Sequence, residues 1–327
     1  MKSFKKTDFA HNSTQLWKVL AAVVCKQLLQ AAFWSQALTG LYKYRLLHQP
    51  SQQLIVNCSE SHNILFTMKV FLLLAALAGI ASAIDYCALP TCLDKHIACN
   101  NKGNFSEDCP KDVREVNIQP HEKLILTLFN ELRNNVAGGK IEGLPKAVRM
   151  AKMTWCEELT HLALFNVKTC QSLPDKCRST ERFAYAGQNN AIFSYSGAES
   201  EYTDAEIIKE QIEKWFAERA NASPEILASF PEELTNKNVA KFTIAVAEKN
   251  THLGCAAVRF SRDFYNHFVF TCNFATTNVI GQPVYTPGDK ATTGCRNRYG
   301  AAFDFPNLCY AKEIYDNDKV VADIRLF

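Results

Sequence analysis

Eleven cysteines spread over residues 87–309 constrain this chain more than any other feature. They stand at positions 87, 92, 99, 109, 156, 170, 177, 255, 272, 295 and 309, out of 13 in a chain of 327 residues. Whether such a set means disulfides or thiolate chemistry depends on the compartment the chain enters. That compartment is written just upstream. Met68-Lys69 is followed by the apolar run Val70 to Ile80 and then Ala81-Ser82-Ala83. A basic start, an apolar stretch and an A-x-A ending are the three parts of a secretory signal peptide. The run is too short for a spanning helix, which needs roughly 20 apolar residues. Ile84 is therefore expected to open a mature, secreted, extracellular chain. There the cysteines read as disulfides. The zinc alternative has no CxxC and no His pair at ligand spacing to support it. An odd count leaves one thiol over.

Residues 1–67 sit oddly before a signal peptide spanning 68–83. They hold Lys2, Lys5, Lys6, Lys18, Lys26, Lys43 and Arg45 against Asp8 and Glu60, with an apolar tract from Leu16 to Tyr42. A membrane anchor or targeting arm is one reading, although Val19 to Cys25 is a short uninterrupted core for an anchor. An upstream stretch outside the mature product, with translation starting at Met68, is the favoured one. Removing 1–83 takes away eight Lys/Arg and two Asp/Glu, so the overall +3 becomes −3. A mildly acidic chain without a Lys/Arg block has no footprint for nucleic acid or anionic membranes. The expectation is a monomer without stable membrane insertion.

The mature chain divides into a cysteine-rich, polar leader at 84–116, a domain at 117–280 with periodic segments, and a turn-rich tail at 281–327. Leu124, Ile125, Leu128, Leu132 and Val136 share a helical face, and Gly138-Gly139 ends it. A second helix is expected after Trp155, through Leu159, Leu162 and Ala163. Thr203-x-x-Glu206 is a capping box that starts a third, carrying Ile207, Ile208, Ile212, Trp215 and Phe216 inward. Gly254 to Phe260 reads as a strand. So does Phe268 to Phe274, where aromatic and Cys positions alternate with Val269, Thr271 and Asn273. Phe242 to Glu248 is ambiguous. Helices first and antiparallel strands last predict an α+β domain.

Ordered short motifs run through all three parts. The leader has Lys95-His96-x-Ala98-Cys99-Asn100-Asn101; the first helix has Asn130-Glu131-Leu132-Arg133-Asn134. Met153-x-Trp155-x-Glu157-Glu158-Leu159, Asn166-Val167-Lys168-x-Cys170, Cys177-Arg178-x-Thr180 and Gly187-Gln188-Asn189 follow. Then come Trp215-x-x-Glu218, Phe242-Thr243, Gly254-Cys255 and Cys272-Asn273-Phe274-Ala275-Thr276-Thr277-Asn278. From Tyr86 to about Cys309 the chain resembles the antigen 5 branch of the CAP superfamily, with cysteine-rich secretory and pathogenesis-related proteins. The resemblance implies a three-layer α-β-α sandwich with a central antiparallel sheet. It also implies bridges Cys87–Cys99, Cys92–Cys177, Cys109–Cys170, Cys255–Cys272 and Cys295–Cys309, leaving Cys156 free.

Many CAP domains line a cleft with two His and two acids able to hold a divalent metal. Carried over residue by residue, those positions are Pro174, Gln188, Glu218 and Lys241. Proline offers no donor, and an ammonium stands where the cation would sit. One ligand of four survives, so neither metal nor other cofactor is expected, and Glu218 and Lys241 are expected to pair with each other. No G-x-S-x-G occurs, and His96, His121, His161, His252 and His267 lie in no catalytic pattern. His252 is placed in a turn. Cys156 is expected to be a buried structural thiol, and Glu157-Glu158 and Glu232-Glu233 to be solvated charge. Asn104-Phe-Ser106 and Asn221-Ala-Ser223 are glycan acceptors, the second followed by Pro224. The expected function is non-enzymatic binding of a small amphipathic, lipid-type ligand or a partner protein. A CAP-type hydrolase or protease, and a structural secreted protein without a discrete ligand, are the alternatives.

Overall fold

The computed structural model describes residues 84–234, 238–296 and 298–327; the signal-peptide and upstream assignments lie outside the described residues. Helix α1, Glu122–Ala137, buries Ile125, Phe129, Leu132 and Val136. The apolar face is thus set by Phe129, and Leu124 and Leu128 flank it half-buried. Gly139 adopts φ +75°, the left-handed conformation that ends helices and that glycine takes at no steric cost. Helix α2 is Glu157–Val167. Helix α3, Asp204–Ala217, starts at the capping box, with Thr203 Oγ1 accepting from Glu206 N–H. Two short helices follow, α4 at Pro224–Ala228 and α5 at Ala240–Val246. The ambiguous segment is therefore helical, its apolar residues buried all round.

The sheet has β1 (Arg114–Glu115), β2 (Thr154–Trp155), β3 (Gly187–Tyr195), β4 (His252–Arg262) and β5 (Tyr265–Phe274). Its order is β1-β4-β5-β3, antiparallel throughout, with β2 added to β4 in parallel. His252 opens β4, where the sequence suggested a turn. The β4–β5 hairpin closes through Asp263 and Phe264, both at positive φ, as the favoured two-residue hairpin turn demands.

Antiparallel sheets often leave one face wet; this one covers both. Ala163 and Val167 of α2 pack on Ala256, Val258 and Val269. On the opposite face Phe129, Trp215 and Phe216 meet Phe268, Phe270 and Phe274, with Trp215 stacked on Phe270 at 5.4 Å. This is the three-layer α-β-α sandwich. Gly254 lets α2 approach β4 closely: a Cβ there would run into Thr160 N and Cys156 O.

Ten cysteines pair as Cys87–Cys99, Cys92–Cys177, Cys109–Cys170, Cys255–Cys272 and Cys295–Cys309, and Cys156 is free and buried. Cys255 and Cys272 are direct partners in the β4–β5 register. The leader contributes only Cys92 and His96 as fully covered side chains, so its attachment rests on bridges and hydrogen bonds. His96 Nε2 donates to Ser179 O at 2.8 Å, and Ile97 N–H to Cys177 O at 2.8 Å.

Arg133 is wholly buried on α1. Its guanidinium donates to Ala151 O twice (3.0 and 2.7 Å), Ala245 O (2.9 Å), Ala247 O (2.8 Å) and Glu248 O (3.4 Å). Burial pulls its pKa down to about 9, so it stays charged at neutral pH. It clips two loops onto α1.

Candidate functional site

The four positions carried over from the resemblance divide between the two faces of the sheet. Successive strand residues face opposite sides, and in β3 this separates Gln188 from Asn189. Gln188 turns toward α2, where its Nε2 donates to Asp175 Oδ2 (2.6 Å) and Asn273 Oδ1 (2.9 Å). Its Oε1 accepts from Asp175 N–H at 3.1 Å, which brings Pro174, the preceding residue, to this side. Asp175 is held further by Arg178 at 2.8 Å. At the centre lies Asn166, 1% exposed. Its Oδ1 accepts from Asn190 Nδ2 and Thr271 Oγ1, both at 2.8 Å, while its amide reaches Leu173 O at 3.0 Å. Sequence reasoning quoted Asn166 as a motif residue and missed this hub. A polar residue on the apolar face of α2 was the available signal.

On the other face Asn189 Nδ2 donates to Lys241 O (3.0 Å) and Asn278 Nδ2 to Ala240 O (3.0 Å), in the first turn of α5. Glu218 follows α3 and caps α5: its Oε2 accepts from Lys241 N–H at 2.9 Å and Phe242 N–H at 3.3 Å. The expected side-chain pair is corrected here. Among the described residues no ion pair joins the Lys241 ammonium to Glu218; the lysine's backbone makes the contact. A helix start presents unpaired N–H groups and positive potential, which suits a carboxylate.

Burial pushes the Glu218 pKa up, opposed by the two backbone bonds and the Lys241 charge. A raised folded pKa means that stability from this group is full below the ordinary carboxylate range and is lost as pH rises through the folded value. Glu218→Gln, which keeps an acceptor and removes the charge, should therefore change stability by less than about 1 kcal/mol at pH 7. Glu218→Ala, which loses the cap, should cost about 1–2 kcal/mol. Denaturant unfolding at pH 7 and pH 4 checks both, and wild type should gain on the Gln variant at the lower pH. An equal loss in the two variants at pH 7 would contradict the capping role.

The residues present do not fit a divalent metal. Pro174 has no donor, the Gln188 amide is engaged, the Glu218 carboxylate is held by amides, and Lys241 is cationic. Among the described residues no cluster of three or more His, Cys, Asp or Glu could hold a metal ion.

The histidines fare no better as bases. Burial, followed by the Arg182 charge, pulls the His252 pKa down to about 4, and Arg182 Nη2 lies 3.2 Å from its Nε2. His161 is exposed and packs edge-on against Phe165. Ser194 Oγ lies 2.8 Å from His267 Nδ1, a contact the sequence did not announce. The two are cross-strand partners, and His267 Nε2 meets Arg262 O at 3.2 Å rather than the carboxylate that would support an imidazolium.

One lesser expectation changes. Glu158 is half-buried and accepts from Tyr86 Oη at 3.2 Å, so it is not simply solvated charge. Glu232 and Glu233 are exposed, and Glu232 meets Arg325 at 2.8 Å in a surface ion pair. Asn104 is exposed, whereas Asn221 is half-buried with its amide on Asn238 O at 2.7 Å. No helix of the described residues is long and apolar enough to cross a membrane.

Residues 126–274 match the cysteine-rich secretory protein family, CAP. Venom allergen-1 of Aedes aegypti is 31% identical over 245 residues, covering 74% of this chain and 93% of the relative. Tabinhibitin 3 of Tabanus yao is 32% identical over 247 residues, with coverages of 74% and 93%. Antigen 5 like allergen Cul n 1 of Culicoides nubeculosus is 37% identical over 172 residues, or 52% of this chain and 77% of the allergen.

Proposed function

The chain belongs to the cysteine-rich secretory protein (CAP) family, with antigen 5-like relatives, and from that premise we propose that it is a secreted, non-catalytic binding protein. It takes a small amphipathic ligand or engages a partner protein outside the cell. The observation that carries this reading is the fate of the one retained acid. Glu218 is committed to the first turn of α5, where Lys241 stands beside it as a cation, while Pro174 and the bound amide of Gln188 lie on the opposite face of the sheet. Hydrolysis needs an activated nucleophile or a metal-bound water with a base in reach, and these side chains offer neither. The name Tabinhibitin for a relative agrees with action by binding. Secretion is supported by the signal-peptide pattern at 68–83 and by five disulfides, which persist in oxidising compartments. Asn104 is the glycan acceptor this reading favours.

Purified secreted protein should hold no stoichiometric zinc by elemental analysis and should hydrolyse neither casein nor p-nitrophenyl acetate above buffer. Native mass spectrometry should show a retained small molecule or, with a candidate target added, a complex. Hydrolysis that disappears in Glu218→Gln would establish the enzyme instead.

A further inference from the structure

The leader's single histidine, His96, is 3% exposed, and both of its ring nitrogens meet backbone. Nε2 lies 2.8 Å from Ser179 O, and Ala98 N–H donates to Nδ1 at 3.0 Å. A carbonyl only accepts and an amide N–H only donates, so Nε2 carries the proton and Nδ1 is bare. The fold thus specifies one neutral tautomer. An imidazolium has N–H on both nitrogens, and the second would face the Ala98 N–H with nothing to accept it. Within the leader, Tyr86 stacks on the ring at 4.7 Å.

The charges around the ring give the imidazolium no compensation. Asp175 favours protonation and Arg178 opposes it, and these two are paired with each other at 2.8 Å. Asp94, Lys95 and Lys176 are exposed. Tyr86, pushed up to about 12 chiefly by burial, stays neutral, and Glu158 of α2 accepts from its Oη at 3.2 Å. Burial is the largest influence on His96 and pulls its pKa below the ordinary value, against the Ser179 bond and Asp175. With a lowered histidine pKa, the stability from this contact is full above about pH 6.5 and is lost as pH falls through the folded value. Beside it, Ile97 N–H donates to Cys177 O at 2.8 Å and Thr91 shares a hydroxyl contact with Ser179. We propose that this seam is an acid-sensitive latch: a proton at Nδ1 expels the imidazole from between Ser179 O and Ala98 N–H and loosens leader residues 86–98 on segment 177–180, while the Cys92–Cys177 bridge keeps the leader tethered. The leader is seated at neutral pH and loosened in an acidified compartment.

The test is nuclear magnetic resonance on the whole secreted protein, titrated from pH 7.5 to 4.5. Imidazole nitrogen shifts read the His96 tautomer. Amide exchange, divided by the unstructured-peptide rate at each pH, reads the seam. His96 should hold the Nε2–H tautomer at pH 7.5. As it takes its second proton, protection at Ile97 and Ala98 should fall by at least about tenfold, while Phe270 and Cys272 in β5 stay unchanged. Glu158→Gln should keep this response, which separates the histidine from the neighbouring carboxyl. His96→Gln, which cannot gain a proton, should vary by less than about twofold at Ile97 over the same range. If that variant leaves Ile97 unprotected even at pH 7.5, the wild-type titration decides, and loss of protection that tracks the imidazole shifts supports the latch. Unchanged protection at Ile97 and Ala98 down to pH 4.5, whether or not His96 is protonated, would overturn it. So would a response that vanishes in Glu158→Gln or persists unaltered in His96→Gln.

Discussion

Replacing Arg133 by methionine is expected to lower the unfolding free energy by at least about 4 kcal/mol, enough to consume much of a typical domain's stability. The substitution keeps a long apolar stem and removes five hydrogen bonds to the carbonyls of Ala151, Ala245, Ala247 and Glu248. Ala247 O keeps the Asn250 N–H and Glu248 O the Ala151 N–H, so the loss falls on Ala151 O and Ala245 O, each of which costs about 1–3 kcal/mol when left unsatisfied. The loss is cooperative, because one side chain joins α1 to the segment before β2 and to the turn after α5. Arg133→Lys is the sharper test. It keeps the positive charge but offers three donors from a single point, where the planar guanidinium spreads five in a fixed fork. It should lose roughly half as much, about 2–3 kcal/mol. Denaturant midpoints of the purified variants read this directly. If the methionine protein is not secreted, its yield beside the lysine and wild-type proteins gives the same order. A methionine variant within about 1 kcal/mol of wild type would mean that water satisfies those carbonyls and that the arginine is dispensable.

Arg133 also marks where sequence reasoning stops. Its motif was visible, but arginine is seldom fully buried without a charged partner, and nothing local announces that four carbonyls from other segments converge on it. Elements defined by local chemistry were legible. α1 and α3 followed from 3.6-residue periodicity, and the start of α3 from Thr203 and Glu206, whose capping contacts are made within four residues. Strand β3 was not legible as a strand, because it opens Gly187-Gln188-Asn189-Asn190. Those polar residues are covered by α2 on one face and by α5 on the other, a tertiary fact. The β4–β5 turn was hidden for a different reason: Asp263-Phe264 carries no glycine where the chain takes positive φ at both positions.

At the site the residue types could be read and their roles could not. A glutamate and a lysine in a cleft suggest an ion pair, because a sequence shows side chains and hides amides. In the structure the carboxylate meets the lysine's own N–H. Hydrogen bonds from backbone N–H groups can hold a partly buried carboxylate as securely as an ammonium can. Lys241 is thereby left half-buried at the start of a helix, a position whose positive potential repels any further cation. The same geometry accounts for the misfit to a metal without appeal to a missing ligand alone.

Replacing both Cys92 and Cys177 by serine should cost about 3–4 kcal/mol and release the leader. The bridge spans 85 residues, and taken alone that loop would be worth nearer 5 kcal/mol by chain entropy. It does not act alone. Cys109–Cys170 lies inside it, so in the unfolded chain the extra closure joins only the stretches 92–109 and 170–177, and the smaller ring sets the figure. Both partners are changed together because a lone thiol left at either position could attack a neighbouring bridge such as Cys87–Cys99, forming a new disulfide and releasing the other sulfur as a thiol. The effect should be local as well as global. Once the bridge is gone, the seam beside it keeps the His96–Ser179, Ile97–Cys177, Thr91–Ser179 and Tyr86–Glu158 hydrogen bonds. Such hydrogen bonds contribute only about 0.5–1.5 kcal/mol each, too little to order a segment with so few covered apolar side chains. Amide exchange at Ile97 should therefore become fast while Phe270 and Cys272 in β5 stay protected, and a protease should cut within 84–108 before it touches the sandwich. Continued protection of Ile97 in the double variant, with less than about 1 kcal/mol lost, would show that the leader docks by packing and that its cysteines are secondary.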